Sequence, residues 1–168
     1  MNRASEIPPR AAELIRTLEL EPHPEGGYYR ELFRSTSTVQ PDDDRDTRSA
    51  LTTIYFLLVS GDVSRWHQVR SDEVWHLYEG GPLELLDLDL SARLLDRRQL
   101  GAVAANGTRP VHTIPAGHWQ AARSLGPYAL VGCTVGPGFD FADFHLMSDD
   151  SAAADEVRAN WPELAAFI

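Results

Sequence analysis

The sequence contains no lysine: all 15 of its basic residues are arginines. Without lysine there can be no Schiff base with a carbonyl substrate and no lysine general base, so both amine-based routes are excluded. Cysteine is nearly absent as well. The single Cys133 rules out a disulfide framework and any cysteine-built zinc site. It lies in the apolar run Tyr128-Ala129-Leu130-Val131-Gly132-Cys133 and reads as a small buried hydrophobe rather than an activated thiol. Long hydrophobic runs are missing: the longest, around Leu51 to Val59, is about half a membrane span. The first residues, with Glu6, Pro8 and Pro9, lack the apolar stretch of a secretory leader, so a cytoplasmic location away from membranes is expected. Positive charge is scarce overall. With 15 basic against 25 acidic residues the net charge is −10, which repels nucleic acid and anionic lipid at long range.

What is present suits a globular chain. The 168 residues are 43% hydrophobic and 24% charged, enough to bury a core and consistent with a single domain over 1–168. Residues 8–20 (PPRAAELIRTLEL) spell a helix: prolines in the first turn, then Ala12, Leu14, Ile15 and Leu18 as an apolar stripe, with the element placed at about 10–22. Pro22, Pro24, Gly26 and Gly27 break it, Tyr28–Ser35 reads as extended, and the acidic stretch 36–48 as a solvated loop. From there short β-rich segments alternate with turn signals: Leu51–Ser60 to Gly61-Asp62, Glu73–Tyr78 to Gly80-Gly81-Pro82, Leu83–Leu90, Asn106-Gly107, Val111–Ile114, and Tyr128–Val135 to Gly136-Pro137-Gly138. This spacing predicts a β-sandwich or barrel over 26–146. The tail returns to helix over 148–168, with Ser148 or Asp149 as its cap and Pro162 opening a last turn.

None of the six histidines forms a local zinc motif such as HExxH. Combined with the turns they become informative. Gly61, His67, Val69, Glu73 and Gly80 read as one hairpin, with His67 and Val69 on one strand and Glu73, Trp75 and Leu77 on the return. An imidazole and a carboxylate would then be cross-strand neighbours, about 5 Å apart at the backbone if directly paired.

That spacing resembles the first motif of the cupin superfamily, G-x5-H-x-H-x(3,4)-E-x6-G, and Pro115-Ala116-Gly117-His118-Trp119-Gln120 resembles the P-x-G-x2-H centre of the second. The segments HPEGGYYRE (23–31), SRWHQVRSDEVWHLYEGGPLEL (64–85) and IPAGHWQAA (114–122) are similar to one branch, the DUF985 or cupin-5 family, over about residues 10–167. The resemblance implies an all-β jelly-roll barrel with peripheral N- and C-terminal helices, commonly paired as a homodimer. Cupin metal sites use three histidines and a carboxylate, but Val69 and Gln120 stand at two of those positions here. Valine offers no donor and an amide oxygen is a poor ligand for a divalent transition metal, so neither a bound metal nor another cofactor is expected.

Three readings of His67 and Glu73 remain: a weak metal site, a hydrogen-bonded structural pair, or a pair that works without metal, Glu73 raising the basicity of His67. A second resemblance favours the last. Glu25-Gly26-Gly27-Tyr28-Tyr29-Arg30-Glu31 is similar to the first strand of the metal-free dTDP-4-keto-6-deoxyglucose 3,5-epimerases, which place a general-base histidine early in the barrel, as His67 lies in Trp66-His67-Gln68. On that reading His67, Glu73 and Tyr28 carry proton transfer, with Tyr28 as donor. Arg30 and Arg65 bind a phosphate or carboxylate, and Trp75, His118 and Gln120 line the pocket. His76 should face the opposite side of its strand, and His112 a structural position. The expected function is binding of a small polar ligand, a sugar or nucleotide-sugar, with epimerisation or isomerisation as the chemistry. A non-catalytic sensor and a weak-site metalloenzyme (dioxygenase or decarboxylase) are the alternatives.

Overall fold

In a computed structural model, which describes residues 7–168, the β-rich segments form two facing sheets. Residues 1–6, the start of the stretch read as too polar for a leader, lie outside the described residues. Helix α1 (Pro9–Thr17) opens with proline at a position where no backbone N–H is needed. Strands β1 (Glu21–Pro22), β2 (Tyr28–Arg34), β3 (Thr38–Val39), β4 (Arg48–Ser49), β5 (Thr52–Val59), β6 (Val63–Val69), β7 (Asp72–Gly80), β8 (Leu83–Asp89), β9 (Leu94–Leu100), β10 (Val111–Ile114), β11 (Trp119–Ser124), β12 (Tyr128–Gly136) and β13 (Phe144–Leu146) follow. Helix α2 (Ser151–Asn160) and a tight helical turn over Pro162–Phe167 end the described chain. The larger sheet has the order β1-β2-β5-β12-β7-β10 and the smaller β13-β6-β11-β8-β9, with every named pair antiparallel.

The side-chain period of two divides each strand between two environments. Phe56, Leu58, Trp75, Leu83, Leu85, Val131 and Cys133 meet between the sheets. On the outer face of the smaller sheet Trp66, Leu86, Leu88 and Trp119 pack under α2 and the final turn, against Val157, Leu164 and Phe167. On the outer face of the larger sheet Leu57, Val59 and Leu130 are covered by Ala11 and Leu14 of α1. No helix among the described residues is long and apolar enough to cross a membrane.

Several expectations change. Strands β6 and β7 are not a hairpin: β6 bonds to β13 and β11, β7 to β12 and β10. The short link over 70–71 carries the chain from one sheet to the other, so His67 and Glu73 project from facing sheets instead of sitting side by side. Strands β9 and β11 form where the turn signals marked no strand, each as a ladder partner of β8. The acidic loop 36–48 is tied down: β3 pairs with β4, and Arg45 is buried with its guanidinium on Ser71 and Asp143. Asp150, one residue beyond the expected caps, accepts the Ala153 N–H at 3.0 Å.

Before β2 the chain makes the turn on which the site depends. The Gly26 N–H donates to the His23 carbonyl and the His23 N–H to the Gly27 carbonyl, both at 3.0 Å, while the Arg65 N–H donates to the Glu25 carbonyl at 2.8 Å. Gly26 has φ +112°, and a Cβ there would lie 2.2 Å from the Val63 carbonyl oxygen. Left-handed backbone and a rigid neighbour together leave room only for glycine. Gly26→Ala is expected to lose roughly 2–4 kcal/mol in urea unfolding. An unchanged midpoint would mean that the turn is not clamped to β6.

Candidate active site: a buried proton between two sheets

At one end of the sandwich the sheets part around a cavity of about 270 Å³. Its floor carries His67 and Val69 from β6, Glu73 from β7 and Cys133 from β12, and the turn before β2 adds His23 and Glu25. The partner of His67 is Glu25, not Glu73: His67 Nε2 lies 3.2 Å from Glu25 Oε2. His67 Nδ1 is 2.7 Å from the Arg65 carbonyl oxygen, which can only accept, so Nδ1 carries a proton. Nε2 is then either an acceptor or the second N–H of an imidazolium. A single proton shared by the two groups would rest on Nε2 or on Glu25.

Burial decides where that proton rests. Desolvation pushes the Glu25 carboxyl up to about 8, against the opposing effects of the Ser64 hydroxyl and the Arg65 charge. Burial also lowers His67, partly offset by the charge of Glu73. Both shifts favour a neutral Glu25 carboxyl beside a neutral imidazole, while Glu25 Oε1 accepts from Ser64 Oγ at 2.8 Å. His23 is lowered to about 4 by burial and by the nearby His67. The Glu25 N–H donates to its Nδ1 at 3.2 Å, which leaves the ring proton on Nε2.

Glu73 is the second acid of the floor. Burial raises it, His67 lowers it and Glu25 raises it further. Gln120 Nε2 donates to Glu73 Oε2 at 2.6 Å, and Gln120 Oε1 accepts the Trp75 indole N–H at 2.9 Å. Both ends of that amide are consumed, so Gln120 and Trp75 brace Glu73 from the core side instead of facing a ligand. Burial drives the Cys133 thiol well up, which makes it a poor nucleophile.

Four of the residues read from the sequence lie elsewhere. Tyr28 packs outward among the residues under α1; Tyr29, its neighbour of opposite parity, lines the cavity. Arg30 also points outward and pairs with Glu19. Arg65 spends its guanidinium on the Pro24 carbonyl, strapping the turn to β6. His118 meets Asp87 at 2.7 Å, with Asp89 3.9 Å away, at a separate surface hollow. His76 stacks beside Tyr78 on the outer face, and His112 lies 3.9 Å from Asp87.

The upper wall was not legible as a site. Tyr29 and Glu31 of β2, and Phe139, Asp140, Phe141 and Phe144 after β12, surround the opening with Arg34. Arg34 donates through Nε and Nη2 to both oxygens of Glu31, at 2.9 and 2.7 Å, and through Nη1 to the Phe139 carbonyl at 3.0 Å. The segment after β12 is held by Asp143, whose carboxylate accepts from Arg48 Nε and Nη2, both at 2.9 Å.

The donor set does not fit the three-histidine-and-carboxylate metal site that the motif implies. Val69 has no donor atom, the Gln120 oxygen is taken by Trp75, and His67 Nε2 is engaged by Glu25. Among the described residues no group of three or more His, Cys, Asp or Glu side chains is arranged to hold a metal ion.

A pH dependence follows from Glu25. Its folded-state pKa lies above the ordinary value of 4.5, so its contribution to stability is full below that value and is lost as pH rises through about 8. In Glu25→Gln the amide mimics the neutral acid, accepting from Ser64 and donating to His67 Nε2. Urea unfolding of both proteins from pH 6 to 9 should show the wild type losing stability relative to the variant as pH rises. Parallel profiles would place the proton elsewhere.

The sequence matches the family described as cupin superfamily (DUF985) over residues 12–147. Two solved structures are similar along nearly the whole chain. A hypothetical protein from Leishmania major is 33% identical with a TM-score of 0.79, over 94% of this chain and 96% of the other. A protein from Shewanella oneidensis is 36% identical with a TM-score of 0.78, over 93% and 92%. Oxalate decarboxylase from Bacillus subtilis, at 14% identity and a TM-score of 0.57 over 88% of this chain and 36% of its own, shares the fold alone. Among curated proteins none matches. The jelly-roll sandwich and the match over most of its length place this chain in the DUF985 family of the cupin superfamily.

Proposed function

We propose that the cavity binds a small polar ligand bearing a carbonyl group and moves a proton on the adjacent carbon, a metal-independent isomerisation or epimerisation. The observation that carries this reading is the approach of Glu25 Oε2 to His67 Nε2, 3.2 Å apart at the floor of the cavity. Proton abstraction next to a carbonyl needs a base that works near neutral pH and an acid to return the proton. The Glu25–His67 pair can take up a proton as imidazolium plus carboxylic acid, and Glu73, raised by burial, is a second acid projecting from the facing sheet. Two acid–base groups with displaced pKa values on opposite walls suit removal from one face and delivery to the other.

The cavity volume suits a ligand of about monosaccharide size. A nucleotide-sugar would have to leave its phosphates outside, where Arg30 and Arg65 are already engaged by Glu19 and the Pro24 carbonyl. Deuterium incorporation from heavy water into a panel of keto-sugars and small ketones, followed by proton NMR, tests the reading. Exchange is expected with at least one compound, and His67→Ala and Glu25→Gln should each slow it by about a hundredfold or more while remaining folded. Binding without exchange across the panel would leave a sensor in place of an enzyme.

We also propose that two copies pair through the open face of the larger sheet. Beyond α1 this face shows Tyr78 and Val111, 55% and 45% exposed, beside the edge strand β10. An uncovered apolar face at an unpaired edge invites association. Sedimentation should give twice the chain mass, falling to the single mass in Tyr78→Glu. A wild-type monomer at high concentration would overturn the pairing.

A further inference from the structure

The ring-lined mouth of the cavity has a chemistry of its own. Phe139, Phe141 and Phe144 stand at centroid distances of 5.0 to 6.1 Å with interplanar angles of 64 to 83°, and His23 meets Tyr29 edge-to-face at 4.6 Å and 90°. His23 also lies nearly parallel to Phe141, at 6.2 Å and 24°, so these rings wall the opening from several directions. Around them no cationic group is free. Arg34 is the one cationic side chain among the lining residues, and Glu31 and the Phe139 carbonyl take its nitrogens. The Thr52 hydroxyl oxygen accepts the Phe139 N–H at 2.9 Å. Asp140 adds an exposed carboxylate at the opening, whereas both oxygens of Glu31 are taken by Arg34.

An anionic ligand would find no unpaired cation here. An organic cation would meet ring faces, which carry negative quadrupole density, with the Asp140 carboxylate beside them. We propose that the cavity selects a ligand carrying a small organic cation, an alkylammonium or sulfonium group, seated among Tyr29, Phe139, Phe141 and Phe144. This inference rests on the reading of the hollow as a ligand site and adds the charge class of what enters it. It leaves open whether a proton is then moved.

The test compares choline with its neutral isostere 3,3-dimethylbutanol, and with glucose, by calorimetry on the full chain at pH 7.5. Choline should bind about tenfold or more tighter than the isostere. Phe141 is 54% exposed at the rim, so Phe141→Leu should fold while removing a ring face but not apolar volume. That variant should weaken choline about fivefold and change the isostere little. Circular dichroism checks that it is folded, and Phe139→Leu serves if it is not. Equal or tighter binding of the isostere or of glucose, no binding of choline, or an unchanged choline affinity in the folded leucine variant would each overturn the proposal. The two readings fail separately: exchange into neutral ketones without choline binding removes the cation preference alone, and choline binding without exchange removes only the chemistry.

Discussion

A carboxyl and an imidazole, both buried and 3.2 Å apart, form the constraint on which this site depends. His67 Nδ1–H is fixed by the Arg65 carbonyl, so Nε2 has to find its partner inside the sandwich, and Glu25 is the group within reach. Two ionised groups would be costly to bury, whereas a neutral acid beside a neutral ring needs no separated charge. The rest follows from keeping that geometry. The glycine turn brings Glu25 inward, Ser64 satisfies its second oxygen, and Trp75 and Gln120 brace Glu73 on the facing sheet.

The arginines support this arrangement without entering it. In a chain with no lysine and a net charge of −10, the guanidiniums near the site are spent on carbonyls and carboxylates of the supporting loops. Asp143 shows the balance: burial would raise its carboxyl, and Arg48 and Arg45 outweigh that and hold it below the ordinary value. Anchoring this aspartate fixes the segment that carries Phe139 and Phe141. The acidic loop 36–48 thus helps to hold the ring-lined wall, although by composition it reads as solvent-exposed.

The family frame is kept while its chemistry is altered. Val69 and Gln120 stand where the cupin motif places metal ligands, and neither is a vacancy in the packing. Val69 gives the floor an apolar wall, and Gln120 links an indole to a carboxyl across the core. The similarity to the Leishmania and Shewanella proteins extends over the same length of chain, so this jelly roll is a property of the family.

The sequence by itself determined most of the fold. Period-two patterning and the glycine and proline turns mark β2, β5, β7, β8, β10 and β12 closely, because those signals are local, and the flanking helices in outline: α1 ends at Thr17, and Glu21–Pro22, expected as helix, pairs as β1. It also singled out His67 and Glu73, through their spacing. It did not determine which carboxyl His67 would meet. That required knowing that β6 and β7 enter different sheets, and that the turn at 23–27 folds back onto β6, contacts between residues about forty positions apart. Nor did it fix which of Tyr28 and Tyr29 points inward, since alternation gives parity without direction and only the packing of α1 on one face of the sheet assigns it. Local chemistry wrote the strands, and long-range burial chose which carboxyl meets His67.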